Sequence, residues 1–257
     1  MNKILYRVIQ LLFPLVALAL LLAVAMPHFA FAEAPFLVTE TAIPIDKASY
    51  RIEGGLQYDK ASTNITSLSA SLRYGLINNL EVAATLPYLF ASNGTKSRNQ
   101  FGDIFLAAKV RFIKGREANP LSIGGTMQVK VPFGSQNNLV GTTGEADVGF
   151  SVLASKQIPP YEAHLNLGYT FMGGNQPDRL HYAFGLDYKE FRPNLSLMGE
   201  LFGTANDSGA SHDNWSGALG ASTFVRSDIR LDGALGLGLS HHAPDYILSL
   251  RSSYFFD

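Results

Sequence analysis

The sequence predicts an all-β protein, a transmembrane antiparallel β-barrel of about 12 strands and of the bacterial outer-membrane type. Apolar residues recur at every second position through most of the chain after residue 50, which is the signature of strands with two different faces. Most alternating segments have about ten residues, the length that a tilted strand needs to cross a bilayer. The chain also begins with an export signal, so a protein beyond the inner membrane is expected.

The composition excludes several other classes of protein. The 257 residues include 20 Lys and Arg against 21 Asp and Glu, and this balance argues against nucleic acid as a partner. No cysteine is present, which excludes disulfide scaffolds, thiolate zinc sites and cysteine nucleophiles. With 47% hydrophobic and only 16% charged residues, the chain is too apolar to be disordered.

Residues 1–32 are predicted to be a cleaved signal peptide. Lys3 and Arg7 precede an apolar run from Leu11 to Met26, and Ala30-Phe31-Ala32 then offers the small-x-small cleavage pattern. A retained membrane anchor is the alternative, but the run is short for a bilayer and contains a proline. Residues 33–49 lack clear alternation and are expected to be a periplasmic lead segment, or one tucked into the barrel, before a barrel of residues 50–257.

The twelve strands follow from alternation, taken in order along the chain. In residues 50–59, Ile52, Leu56 and Tyr58 share one face, while Arg51 and Glu53 lie on the other. The same rule predicts strands at 50–59, 67–76, 80–89, 103–112, 121–133, 146–156, 161–172, 179–189, 194–203, 213–225, 228–240 and 245–256. An even number of strands places both termini on the periplasmic side.

The connections agree with this topology, because outer-membrane barrels have short periplasmic turns and longer outer loops. The outer loops are expected at 60–66, 90–102, 134–145, 173–178, 204–212 and 241–244, and the second and third of them are the longest and rich in polar residues and glycine. The inner connections are short, except for residues 113–120.

Alternation alone does not distinguish this barrel from a soluble β-sandwich, because both show it. Aromatic residues on the apolar face near strand ends favour the membrane, where they form girdles at the two interfaces. They are Tyr58, Tyr74, Tyr88, Phe112, Phe133, Tyr161, Phe171, Tyr188, Trp215, Tyr246 and Tyr254. In the last strand the terminal aromatic, Phe256, is followed by Asp257.

The polar face of the strands carries charges of both signs. A selective pore would show a ring of one sign, so this mixture predicts ion pairs across a lumen that twelve strands leave narrow. The candidates to line the lumen are Arg51, Glu53, Arg73, Glu81, Lys109, Arg111, Lys130, Asp147, Glu162, His164, His181, Asp187, Lys189, Glu200, Arg230, Asp232 and Arg251.

No catalytic, cofactor-binding or metal-binding residues are expected. His241 and His242 are adjacent on the chain without a third ligand. Ser151 or Ser155 could approach His164 and Asp187, but these side chains face the lumen, whereas a lipid-active barrel enzyme presents its nucleophile to an acyl chain. No phosphate-binding loop or zinc-protease motif is present.

The chain also resembles the outer-membrane proteins grouped under the meta-pathway of phenol degradation. The resemblance rests on PFLVTETAIPIDKASYRIEGGLQYD, on the Gly-Asp opening of GDIFLAAKVRF, on VKVPFGSQNNLVGTTGEADVGFSVLASK and on LNLGYTF, in the family's order. It implies an outer-membrane barrel that passes small organic molecules, and it brings no ligand or catalytic residues with it.

The sequence as a whole therefore predicts a channel for passive uptake or efflux of small organic, including aromatic, molecules. It predicts no cofactor and no enzymatic activity, and its expected partners are outer-membrane lipid and a small-molecule solute. A lipid-active barrel enzyme and a non-conducting structural barrel are the alternatives. The identity of the solute, the direction of transport, the oligomeric state and whether the lumen is open or plugged stay undecided at this level.

Overall fold

A computed structural model describes residues 36–116, 119–192, 194–206 and 213–256, with only the backbone of Glu190. The predicted signal peptide and Asp257 lie outside these residues. Within the described ranges no helix is long and apolar enough to span a membrane.

The described residues form thirteen strands. They are β1 (Tyr50–Lys60), β2 (Asn64–Ile77), β3 (Leu80–Ser92), β4 (Ser97–Phe101), β5 (Ile104–Ile113), β6 (Leu121–Val131), β7 (Asp147–Ile158), β8 (Tyr161–Phe171), β9 (Arg179–Arg192), β10 (Leu195–Asn206), β11 (Asn214–Arg226), β12 (Ile229–Gly238) and β13 (Tyr246–Phe256).

All strands except β4 form one closed antiparallel ring, so the predicted twelve-stranded barrel is confirmed. Each of these strands pairs with the next along the chain, and β5 follows β3 in the ring. The first and last strands close the ring by pairing along their whole length, from Tyr50 opposite Phe256 to Lys60 opposite Tyr246. Closure leaves no free sheet edge, as a strand structure within a bilayer requires.

The additional strand, β4, continues the crossing of β5 beyond an interruption at Gly102 and Asp103. β3 pairs with β5 through Leu80–Thr85 and with β4 through Tyr88–Ser92. The expectation of one loop over residues 90–102 was therefore wrong. The Asn93 side chain accepts hydrogen bonds from the N–H groups of Thr95 and Lys96, at 3.2 and 2.9 Å, and this tight turn lets the hairpin extend.

The two ends of the barrel differ in their connections. At one end, here called the turn end, residues 78–79, 159–160, 193–194 and 227–228 join strands, and the connection over 114–120 is longer. The other end, the loop end, carries residues 61–63, 93–96, 132–146, 172–178 and 239–245, together with the end of β10 and the start of β11. In one tight turn Arg226 donates hydrogen bonds to Asp228, and this lowers the pKa of the Asp228 carboxyl.

The two faces of the wall have the polarity of a membrane barrel. Large apolar side chains point outward, and Leu219 is 74% exposed. Charged and polar side chains point inward, where Asp187 and Arg230 are buried almost completely. A soluble sandwich would show the opposite arrangement, because water would favour the polar face outside.

Aromatic side chains form clusters near both ends of the strands. Tyr50 stacks on Tyr74 at a centroid distance of 4.5 Å at the turn end, where Tyr161 also stacks on Tyr188 at 5.1 Å. At the loop end, Tyr182 contacts Trp215 with centroids 5.0 Å apart. These pairs lie where the aromatic girdles of a membrane barrel are expected.

Residues 36–49, here called the lead segment, run from the start of β1 into the lumen. The segment enters at the turn end, where Ala48 donates a hydrogen bond to the carbonyl of Gly75 at 2.8 Å. A Cβ at Gly75 would lie 1.9 Å from the carbonyl oxygen of Asp46. The lead segment passes so close to β2 here that no residue with a side chain fits at position 75. The segment reaches the middle of the barrel, where Phe36 packs against Gly185 of β9 and Met198 of β10.

Candidate functional site

A chain of ion pairs covers one side of the inner wall, across β1, β2, β3 and β5. Glu53 lies between Arg51, at 3.3 Å, and Arg73, at 3.1 Å. Arg73 also contacts Glu81 at 2.7 Å, and Lys109 continues the chain at 3.9 Å from Glu81. Each carboxylate thus faces two cations, which offsets the cost of placing it away from bulk water.

Three smaller groups of charges lie elsewhere on the wall. Near the loop end Lys130 contacts Asp147 at 2.7 Å, and on β8 and β9 Lys189 pairs with Glu162. Asp187 lies opposite Glu162 in the register and is fully buried. On β12 and β13, Asp232 is shared by Arg230, at 3.1 Å, and Arg251, at 3.5 Å.

Two of the predicted lumen residues lie apart from these groups. Arg111 stands near the end of β5 and donates a hydrogen bond to the carbonyl of Asn78 at the turn end, 3.2 Å away. His181 lies towards the loop end of β9, where its Nε2 is 2.7 Å from the hydroxyl of Thr170. Neither residue is part of the ion-paired lattice in the middle of the wall.

The position of Arg73 between two carboxylates leads to a prediction about ion selectivity. Arg73→Gln removes one cation and leaves Glu53 and Glu81 each with one partner, so we expect a shift of permeation towards cations. The measurement is the reversal potential of the protein in planar bilayers under a salt gradient. Lys96→Gln is the control, because salt screens this exposed loop charge within about 8 Å at physiological ionic strength. An unchanged reversal potential for Arg73→Gln would contradict the assignment of this side chain to the conducting path.

Glu200 holds the inner end of the lead segment. Its carboxylate accepts hydrogen bonds from the backbone N–H groups of Leu37 at 2.9 Å, Val38 at 3.0 Å and Thr39. The Thr39 hydroxyl donates a fourth hydrogen bond at 2.6 Å. Successive N–H groups that converge on one carboxylate make a strong anchor, because hydrogen bonds to a charged acceptor are stronger than neutral ones.

Three further wall residues bind the rest of the segment. Asn166 accepts a hydrogen bond from the N–H of Glu40 at 2.6 Å and donates one to its carbonyl at 2.8 Å. The Ser155 hydroxyl accepts from the N–H of Ala42 at 2.8 Å, and Glu81 accepts from that of Ile45 at 3.0 Å. Side chains of the wall therefore supply partners that a neighbouring strand would otherwise provide.

Of the serine, histidine and aspartate considered above, Ser155 and His164 are in contact. Ser155 Oγ lies 2.8 Å from His164 Nδ1. The same hydroxyl is bound to Ala42 and lies 3.2 Å from the hydroxyl of Thr41, so the lead segment covers it. Phe36 packs edge-on against the His164 ring, with centroids 5.2 Å apart. This arrangement holds the lead segment rather than a substrate.

Two cavities lie beside the lead segment. The larger, of about 230 Å³, lies between Phe36 and Leu37 and the inner face of β1, β2 and β13. The smaller, of about 40 Å³, lies beside Glu40 and is lined by residues of β2, β3, β5 and β6. The inner half of the segment is anchored on β7, β8 and β10 by Ser155, Asn166 and Glu200. Both cavities therefore lie on the side of the lumen away from these anchors.

Comparisons with known proteins agree with this architecture. A family model described as "Putative MetA-pathway of phenol degradation" matches residues 29–256. The chain belongs to this family. The resemblance found in the sequence is thus confirmed, while no curated protein matches the chain.

Solved structures similar to this family member are outer-membrane barrels. The COG4313 outer membrane channel from Pseudomonas putida F1 matches with a TM-score of 0.67 and 19% identity over 88% of this chain and 100% of that one. The KdgM porin in complex with disordered oligogalacturonate gives 0.52 and 10%, over 82% and 99% of the two chains. The CymD monoaromatic hydrocarbon channel gives 0.51 and 8%, over 81% and 88%. These likenesses show the fold.

Proposed function

We propose that the protein is a passive channel of the bacterial outer membrane for small organic molecules. The observation that carries this proposal is the polar inner wall, which retains free space beside the lead segment. Among the described residues, the buried apolar cluster in the lumen consists of Phe36 and Met198, with Ala234 packed against it. A barrel with a purely structural role would be expected to fill its interior with side chains and to leave no such space, as eight-stranded barrels do.

The distribution of charge supports diffusion of solutes without energy coupling. Cations and carboxylates alternate along the wall, so the described residues form no ring of one sign that would bind an ion tightly. Solutes would move in either direction along their gradient. The family and the monoaromatic hydrocarbon channel among the similar structures support aromatic molecules as one class of solute.

The proposal includes the processing and placement of the chain. Residues 1–32 would be removed as a signal peptide, and the lead segment would enter the barrel of residues 50–257 from the periplasm. The short connections at the turn end support this orientation, because periplasmic turns of such barrels are short. The outward apolar side chains would contact outer-membrane lipid.

Expression in a Gram-negative host and planar-bilayer recording test the proposal together. We expect the protein in the outer-membrane fraction, with the mass of a chain whose first residue is Glu33. After insertion into bilayers it should show a small, steady conductance. The phospholipid of the same bilayers should stay unhydrolysed, since the lead segment covers Ser155. A folded, inserted protein with no conductance for salt or small organic solutes would contradict the channel.

A further inference from the structure

The larger cavity in the lumen has the features of a binding site. It lies in the middle of the barrel, where Phe36 and Leu37 of the lead segment form one wall. Its volume of about 230 Å³ is large enough for several water molecules. This is the size range of a molecule with one ring and one small polar group.

The cavity exists because three neighbouring strands carry small residues on their inner faces. Gly55 of β1 has no side chain, and a Cβ there would lie 2.6 Å from the hydroxyl oxygen of Ser69. Ser69 of β2 lies opposite Gly55, while Ser67 of β2 and Ser249 of β13 lie opposite Gln57, the next inward position of β1, and all three serines line the same space. Towards the turn end, β1 and β2 carry the large ion-paired side chains of Glu53 and Arg73.

Arg251 is the charged residue in the lining of the cavity. Its side chain is 28% exposed, and one Nη donates a hydrogen bond to the carbonyl of Phe36 at 2.9 Å. Its ion-pair partner Asp232, at 3.5 Å, is shared with Arg230 at 3.1 Å, and the Glu53 carboxylate also interacts with the Arg251 charge. The planar fork of a guanidinium matches a carboxylate well, so the exposed part of Arg251 can also bind the carboxylate of a ligand.

The remaining lining combines hydroxyl groups with an apolar surface. Ser67, Ser69 and Ser249 can each donate or accept a hydrogen bond, while Phe36 and Leu37 offer apolar contact. A ligand pocket typically has this character, with apolar contacts for the body of the ligand and a few polar groups that fix its orientation.

We propose that this cavity binds small monocarboxylates with a single apolar ring, with the carboxylate on Arg251 and the ring against Phe36 and Leu37. The inference rests on the proposed channel and names a class of solute for it. The site lies beside the lead segment, so a bound solute occupies the wider part of the passage. Neutral hydrocarbons would lack the contact with Arg251, and short carboxylates would lack the apolar one.

Benzoate is a suitable probe, and its binding can be measured in two independent ways. Isothermal titration calorimetry on the folded protein in detergent measures binding without transport, and reduction of the chloride current in planar bilayers measures it in the channel. We expect Arg251→Gln to weaken benzoate binding about tenfold or more, because it removes a charge-assisted hydrogen bond. Lys130→Gln, which removes a cation outside the cavity, should leave binding unchanged.

A second variant tests whether the free space of the cavity is needed for binding, separately from the charge of Arg251. Ser249→Phe should fill the cavity and abolish benzoate binding while Arg251 stays in place. Its barrel should unfold reversibly like that of the original protein, since the added ring enters free space. Acetate and benzyl alcohol, which each retain one half of the ligand, should bind at least about tenfold more weakly than benzoate.

The outcomes separate this inference from the channel itself. Binding of benzoate that depends on Arg251, in a protein without conductance, would support the site and overturn the channel. Conductance without calorimetric binding of benzoate would overturn the site alone. Unchanged binding in both Arg251→Gln and Ser249→Phe, or equal binding of benzyl alcohol and benzoate, would also overturn it.

Discussion

Replacing Glu200 with alanine should release the lead segment from the middle of the lumen and raise the single-channel conductance several-fold. The Glu200 carboxylate accepts hydrogen bonds from three consecutive N–H groups and from the Thr39 hydroxyl. A hydrogen bond to a charged group contributes about 1.5 to 3 kcal/mol. Glu200→Ala removes all four, and even two such bonds would change the equilibrium between the bound and released segment by about 3 kcal/mol or more, a factor above about 100.

Hydrogen exchange provides the direct measurement of this release. The amide protons of Leu37, Val38 and Thr39 should be protected in the original protein and should exchange quickly in Glu200→Ala. Glu162→Ala is the matched control, because Glu162 is an equally buried wall carboxylate that pairs with Lys189 instead of the lead segment. The exchange rates of these amide protons in Glu200→Gln should lie between those of Glu200→Ala and Glu162→Ala. The glutamine amide oxygen still accepts hydrogen bonds, but it carries no charge. Conductance and protection unchanged in Glu200→Ala would show that Glu200 does not hold the segment in the lumen.

The strands could be predicted from the sequence because each of them has two different environments. A shift of one residue would move every side chain of a strand to the opposite face, so the alternation is strongly specified. The strand predicted at 161–172 is observed as β8, Tyr161–Phe171. Arg51, Glu53 and Glu81, on the polar face of these strands, are buried.

β4 was not predicted, because its sequence lacks the alternation of apolar and polar residues that is typical of a membrane strand. Ser97–Phe101 carries one apolar residue, Phe101, at its end. The strand forms by extension of the hairpin with β3, and loop 132–146 supports it through a hydrogen bond from Gln100 to the carbonyl of Ser135 at 2.6 Å. Backbone pairing and loop contacts determine this strand, and neither of them requires a periodic pattern of apolar residues in the sequence.

The anchors of the lead segment could not be predicted, since they join residues far apart in the chain. Thr39 and Glu200 are 161 residues apart, and Glu40 and Asn166 are 126 apart. The possibility of a segment tucked into the barrel followed from its prolines and its lack of alternation, but its partners did not. One signal was available, because Gly185 lies on the inward face next to Glu200 and leaves room for the ring of Phe36.

Replacing Ala70 with arginine should destabilise the barrel by about 2 to 4 kcal/mol, because a guanidinium near the middle of the membrane must leave water for hydrocarbon. Ala70 lies near the centre of β2 on the lipid-facing side, opposite Gly54 and Leu86 of the adjacent strands. Alanine is small, so the substitution removes little packing of its own. The measurement is the free energy of unfolding in urea for the protein folded reversibly into lipid vesicles.

Ser69→Arg is the matched control, since the two residues are adjacent on the same strand and at the same depth. Ser69 faces the lumen and lines the larger cavity, where the new side chain has space and water. Its free energy of unfolding should change by less than about 1 kcal/mol, while its added positive charge should shift the reversal potential towards anions. That shift is opposite in sign to the one expected for Arg73→Gln. Equal destabilisation by the two substitutions would contradict the assigned faces of β2, because only one of them can place a charge in lipid.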